Sequence, residues 1–195
     1  MNLPLNLLVL NGVDNKKAGL YGITQKIING LEELAVLKTI NLGDTDIAPC
    51  LGCFGCWLKT PGICVINDYG REIAKEFINS DLIIFLTPVT FGGFSSILKK
   101  VVDRLIPNVL PHFQKIDGEI HHKPRYDKHP VIVAVGLLEE DDRKSREIFS
   151  SLLKRISINM FSPKHRAFFL SQNRSAEELS EDINNICAEV GEMNA

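Results

Sequence analysis

Five short, largely apolar runs separated by segments of helical periodicity constrain this chain more than any other feature. Leu5 to Leu10 is almost continuously apolar and ends in Asn11-Gly12; Val36 to Leu42, Asp81 to Leu86, Val131 to Gly136 and Ala167 to Leu170 follow in order. Apolar runs of this length suit strands covered on both faces, as in a parallel sheet between two helical layers. The intervening segments carry helix signals. Thr24 is placed to cap a helix bearing Ile27, Ile28, Leu31 and Leu34, and Asp68 precedes one in which Tyr69, Ile73 and Phe77 recur every four residues. Ile97, Leu98, Val101, Val102 and Leu105 predict a helix that stops before Pro107, and Ile148, Leu152 and Ile156 another that starts near Asp141 or Asp142. Ser175 and Glu178 form a capping box ahead of Leu179, Ile183, Ile186, Cys187 and Val190, which makes Cys187 a core residue of the last helix.

Strand and helix alternating five times predict a doubly wound α/β architecture. At this size the leading topology is a flavodoxin-like five-stranded parallel sheet in the order 2-1-3-4-5, with helices on both faces. A length of 195 residues is expected to form one domain, residues 1–195, burying roughly 70% of its unfolded surface. A formal net charge of −2 and the lack of any basic stripe give no reason to expect nucleic acid as a partner. The N-terminus lacks the charged and small-residue pattern of a secretory signal, and no apolar run reaches a membrane span, so the expected location is cytoplasmic, with no membrane partner. Between Pro107 and Pro130 the sequence reads as a long polar connection holding His112, His121, His122 and His129, which cover a site or face solvent.

Four of the five cysteines, Cys50, Cys53, Cys56 and Cys64, fall within fifteen residues in the pattern C-x2-C-x2-C-x7-C. Gly52 and Gly55 let the backbone turn between thiols, and Pro61-Gly62 has the order of a type II turn that returns Cys64 toward the others. The spacing admits three readings: a [4Fe-4S] cluster held by all four, reduced or redox-active thiols on a glycine-rich loop, or zinc. Because the loop follows the second strand, it is expected outside that strand's carboxyl end, where open α/β sheets place ligands.

Three other loops converge at the same edge: Asn11 to Ile23, Thr87 to Ser95 and Gly136 to Asp141. A flavin ring needs apolar faces and backbone donors, which the second loop offers through Phe91, Phe94 and the peptides around Gly92 and Gly93. Its phosphate needs amides and a helix N-terminus, here assigned to Gly22 and Thr24. The sequence resembles the NAD(P)H-dependent FMN reductase family, and within it the branch containing the iron-sulfur flavoproteins. The resemblance is carried by Pro49-Cys50-Leu51-Gly52-Cys53 with Cys56 and Cys64 running into Asn67-Asp68, then by Asp81 with Thr87-Pro88-Val89-Thr90-Phe91-Gly92, then by Leu98-Lys99 with Asp103-Arg104.

The resemblance implies an FMN-dependent oxidoreductase that takes a hydride from NAD(P)H and passes electrons to a small acceptor, the flavin supplying the chemistry. Thr87, Pro88, Val89, Thr90, Phe91, Gly92 and Gly93 are then expected to hold the ring, Gly12, Lys16 and Thr24 the phosphate, and Gly136 the third loop. Its runner-up implication is an electron carrier in which the four cysteines hold a [4Fe-4S] cluster beside FMN and exchange electrons with a ferredoxin-like protein; the resemblance also implies a homodimer or homotetramer. Two departures stand out. The family's phosphate loop reads Gly-Ser-x-Arg, where this chain has Gly12-Val13-Asp14-Asn15, and Thr90 replaces a common Tyr or Trp. These departures motivate a third reading, a flavodoxin-like domain that has lost FMN.

Overall fold

Successive residues of β1 (Asn6–Asn11) point to opposite faces, so Leu7 and Val9 enter one core while Leu8 and Leu10 enter the other. The same division runs through β3 (Leu82–Pro88) and β6 (Val131–Leu138), whose apolar residues are buried on both sides. These three strands, with β2 (Val36–Asn41) and β7 (His165–Ser171), form a parallel sheet in the order β2-β1-β3-β6-β7, which is the flavodoxin-like arrangement. The computed structural model describes residues 5–14 and 18–193.

One face of the sheet is covered by α1 (Ala18–Glu32) and α6 (Ala176–Glu192), which bury Ile27 and Leu31 against Ile183, Ile186 and Val190. The other is covered by α3 (Gly70–Asn79), α4 (Ser96–Asp103) and α5 (Arg143–Asn159) through Ile73, Phe77, Leu98, Val101, Phe149 and Leu153. Asp142 caps α5 by accepting from the amides of Lys144 and Ser145, and the capping box of Ser175 and Glu178 starts α6. A short helix, α2 (Gly55–Leu58), lies within the cysteine loop. No helix of the described residues is long and apolar enough to cross a membrane.

Two expectations from the sequence are corrected here. The first helix begins at Ala18 rather than at Thr24: Leu20 and Ile23 extend the buried stripe upstream, and Gly19 and Gly22 had disguised that period. Thr24 is therefore fully buried inside the helix, its hydroxyl donating to the carbonyl of Leu20 at 2.8 Å. The segment between Pro107 and Pro130 is largely an antiparallel hairpin, β4 (Val109–Ile116) and β5 (Glu119–Pro124), separate from the main sheet. Asp117 and Gly118 both take positive φ, 47° and 90°, as a two-residue primed turn requires.

Cys187 lies in the α1–α6 core, and a Cβ added to Gly30 would stand 2.9 Å from its sulfur. The glycine thus sets how closely the two helices approach. Gly30→Val is expected to destabilise the chain by about 1–3 kcal/mol in urea unfolding. Combining it with Cys187→Ala should cost less than the sum of the two single changes, since both act on one contact.

Candidate functional site

The crevice at the carboxyl edge of the sheet is built from the ends of β1 and β3. Gly12 donates its amide to Leu86 at 2.8 Å and accepts from the Ser95 hydroxyl at 2.9 Å. A Cβ at Gly12 would lie 2.9 Å from both Leu98 Cβ and Ser95 Oγ, so glycine is needed for the loop to dock on the start of α4. Asn11, buried beside it, donates to Asn41 and accepts from the Val13 amide, which turns Val13 inward to the core. Asp14 is exposed at the outer side of this loop. Lys16, assigned to the phosphate from sequence, lies outside the described residues.

The loop after β3 is held by its first residue. Thr87 is buried, and its hydroxyl accepts from the Ser95 amide at 3.0 Å while donating to the Pro88 carbonyl. Thr90 and Gly93 exchange backbone hydrogen bonds of 2.9 and 2.8 Å, enclosing Phe91 and Gly92 in a two-residue turn with φ of 49° and 74°. Gly92 packs against Ile148, and the turn leaves the Phe91 ring wholly exposed, at 101%. Pro88 and Val89 are half-buried, with the Val89 amide bonded to the Leu137 carbonyl.

Three sequence assignments change. Phe94 is no ring contact: it is buried and meets Phe85 and Phe149 edge-on, so it is core. Gly136 lies inside β6, not in the loop beyond it, because the strand continues to Leu138; a Cβ there would meet Val89 and Phe169. Thr24, enclosed in α1, is not at a helix N-terminus and offers nothing to a phosphate. What the crevice presents to a flavin is the Phe91 ring, the backbone around Thr90 to Gly93, and the close approach at Gly12. These fit the ring end of FMN. Beyond β6 the edge carries Glu139, Glu140, Asp141 and Asp142, with Asp141 paired to Arg146 and Asp142 capping α5.

The cysteine loop lies elsewhere than expected. From the end of β2 it runs along the helical face to the end of α4, where it meets Arg104. α4 is eight residues, about 12 Å long; Ser95 at its start bonds Gly12 of the crevice, and Arg104 past its end bonds the segments that flank the cysteines. The turn at Pro61-Gly62 forms as anticipated, with Ile63 donating to Thr60 and Gly62 at φ 85° donating to Cys56. Cys56 is buried, Cys50 and Cys64 are half-buried and Cys53 is exposed; all are free thiols. Burial pushes the Cys56 thiol above its usual range, reinforced by Cys64 and, more weakly, by Cys50 and Cys53. The four thiols therefore share one neighbourhood. Among the described residues no three Cys, His, Asp or Glu side chains gather into a group able to hold a single metal ion.

What fastens the loop is a pair drawn from two motifs far apart in the sequence, Asp68 and Arg104. Arg104, 3% exposed, donates to both carboxylate oxygens of Asp68 at 2.7 and 2.9 Å. It also donates to the carbonyls of Ala48 and Ile66, which flank the four cysteines, and its guanidinium reaches the Cys64 side chain. Arg71 adds bonds to the carbonyls of Cys64 and Val65. Trp57 bonds the Val109 carbonyl and stacks between Phe54 and His122, which in turn meets Phe113, so rings join the loop to the hairpin.

Burial alone pushes the Asp68 carboxyl upward, but the Arg104 guanidinium and the amides of Ala48 and Gly70 hold it below the usual carboxylate range. A depressed native pKa stabilises the fold above the unfolded value of about 3.9 and loses that contribution as pH falls through the native one. Asp68→Asn should therefore destabilise at pH 7 and flatten the acid limb below about pH 4 in pH-resolved urea unfolding. Arg104→Met, which leaves the half-buried Asp68 carboxylate without its cation, should cost about 3 kcal/mol at pH 7.

The profile of the NADPH-dependent FMN reductase family matches residues 5–162. An iron-sulfur flavoprotein of Methanocaldococcus jannaschii is 37% identical over 86 residues, 44% of each chain, and one of Archaeoglobus fulgidus is 32% identical over 101 residues, 51% of this chain and 48% of that protein. The matches thus span about half or less of these curated relatives' length. Among solved structures, an FMN-dependent NADH-azoreductase of Bacillus anthracis in complex with FMN superposes with a TM-score of 0.66 at 13% identity, covering 98% of this chain and 99% of that one. An NAD(P)H:quinone oxidoreductase of Methanothermobacter marburgensis gives 0.68 at 10% identity, covering 97% and 98%. At such identities the structural likeness speaks for the fold, and the profile match decides the family: the chain belongs to the NADPH-dependent FMN reductases.

Proposed function

We propose that the chain is an NAD(P)H-dependent FMN oxidoreductase, a single flavodoxin-like domain that delivers electrons to a small acceptor. The observation that carries this reading is Phe91. A fully exposed ring held rigid on a two-residue turn, at the edge where β1, β3 and β6 end, serves no folding purpose and suits the face of a flavin. Bound FMN supplies hydride and electron transfer, and the residues here position it. Thr87 and Ser95 fix the loop, Thr90 to Gly93 present backbone groups to the polar edge of the ring, and Gly12 lets the β1 loop come close. No side chain is assigned an acid or base role.

A second reading, an electron carrier with a [4Fe-4S] cluster on Cys50, Cys53, Cys56 and Cys64 and a ferredoxin-like partner, draws on the spacing of the thiols, their shared neighbourhood, and the similarity to two iron-sulfur flavoproteins.

Protein purified without oxygen is expected to show flavin absorbance and to oxidise NADPH in the presence of excess FMN. FMN at a hundred times its dissociation constant should add about 2.7 kcal/mol of stability; a colourless protein with no thermal shift in FMN overturns the flavin reading. About four irons with acid-labile sulfide per chain, as a [4Fe-4S] site requires, would move the assignment to the electron carrier. Phe91→Ala should weaken FMN about tenfold, the loss of ~1.4 kcal/mol of ring contact, while changing the stability of the FMN-free chain by no more than about 0.5 kcal/mol.

A further inference from the structure

β7 is an edge of the main sheet, paired with β6 on one side only. The Ile132 amide bonds the Lys164 carbonyl and the Gln172 amide the Leu138 carbonyl, which fixes the alternation along the strand. Even-numbered residues turn their backbone groups to β6, while His165, Ala167 and Phe169 turn theirs to the open side. Three depressions of about 430, 280 and 360 Å³ follow one another along that side, the first two sharing Arg166 and Ala167 and the last two Arg146 and Phe169. Charges commonly guard such an edge by lying across it. Here two of them are folded back: Arg146 lies over the Phe169 ring at 5.1 Å and pairs with Asp141, and Arg166 lies over Phe168 at 5.6 Å and pairs with Glu189. Phe168 and Phe169 belong to opposite faces of the sheet, so the two guanidiniums flank the half-buried Ala167 instead of closing over it.

At the amino end of β7 the charge is positive. The 430 Å³ depression is lined by Lys154, His165 and Arg166 with Ser150 and Ser151 and holds no carboxylate, and Lys154 has no ion-pair partner among the described residues. A second copy of the chain has the same cationic excess on its own edge and cannot neutralise it, whereas an acidic segment can. A phosphate chain offers acceptors alone; the open side alternates N–H and C=O groups, and a second peptide backbone answers both. We infer that the open edge of β7 takes an extended acidic segment of another protein as an added strand. Its backbone pairs with His165, Ala167 and Phe169, and a carboxylate sits between Lys154 and Arg166. This charged end is the amino end of β7, opposite the carboxyl edge that forms the crevice, and the inference does not rest on the flavin reading.

The test is calorimetric titration of the full chain with a capped heptapeptide of alternating valine and glutamate, with the valine–lysine peptide as control. One acidic peptide per chain is expected, at least about tenfold tighter than the basic one. The amides of His165, Ala167 and Phe169 should gain protection from hydrogen exchange as it binds. Ala167→Pro removes an outward N–H and spares the ladder to β6, a place where an edge strand tolerates proline. It should weaken binding about tenfold, by one backbone hydrogen bond and the close approach around it. Lys154→Glu, at an exposed position, should weaken it several-fold, and carries the test if Ala167→Pro unfolds. Equal affinity for the two peptides, unchanged affinity in folded variants, or protection confined to other amides overturns the proposal. So does displacement of the peptide by heparin with Ala167→Pro binding undiminished, which would leave only an electrostatic patch. A dimer of the free chain that Ala167→Pro dissolves would give the edge to a second copy and overturn it as well.

Discussion

The buried pair of Arg104 and Asp68 is the interaction on which the functional half of this molecule depends. A guanidinium with almost no exposure is costly to bury unless every charge is answered, and here the answer comes from two segments of chain twenty residues apart, Ala48 and the stretch from Ile66 to Asp68. Because those segments bracket the four cysteines, neutralising one arginine also ties the ends of the cysteine loop together. Asp68 accepts the Ala48 amide as well, so the knot holds from both sides. Long loops gain little from propensity, and this one is shaped by that knot, by Arg71 on its exit, and by the ring stack from Phe54 to Phe113.

The opposite end of α4 shows the same economy with smaller groups. Ser95 caps the helix, donates its hydroxyl to the carbonyl of Gly12 and its amide to the Thr87 hydroxyl, so one serine joins the ends of two strands to the helix between the crevice loops. A helix pinned to the crevice at its start and to the cysteine loop past its end is a rigid spacer between them. The separate hairpin adds a third attachment: His121 is buried between Asn159 and Glu119, and Glu119 reaches Arg155, so the hairpin is pinned to α5 by its own polar side chains.

Much of this was legible in the residues. Period-two burial within unbroken apolar runs identifies the strands of the main sheet, and the order of strand and helix limits that sheet to the doubly wound form. The hairpin of β4 and β5 was not: the stretch from Pro107 to Pro130 reads as a polar connection, and a two-stranded ribbon has no buried face periodic enough to announce itself. Phe94 and Phe91 show the limit more sharply. They are three residues apart in one loop with the same side chain, yet one fills the space between Phe85 and Phe149 and the other stands in solvent. Nothing local distinguishes them, because burial depends on which helix arrives above.

The sequence by itself determined the class of sheet, its strand order, a helix start near Asp141 or Asp142, the capping box at Ser175, the core place of Cys187 and the four-thiol spacing, because each rests on contacts between near neighbours or on a hydrophobic period. Tertiary structure alone decided that Thr24 is enclosed, that Gly136 makes room for Val89 and Phe169, and that the cysteines lie beside the end of α4 instead of at the mouth of the crevice. The last of these turns on a charge: Arg104 had to be neutralised where α4 ends, and the segments able to do so were those on either side of the cysteines. Such long-range neutralisation leaves no periodic trace in a chain, and appears only once the helix and the loop have been folded against each other.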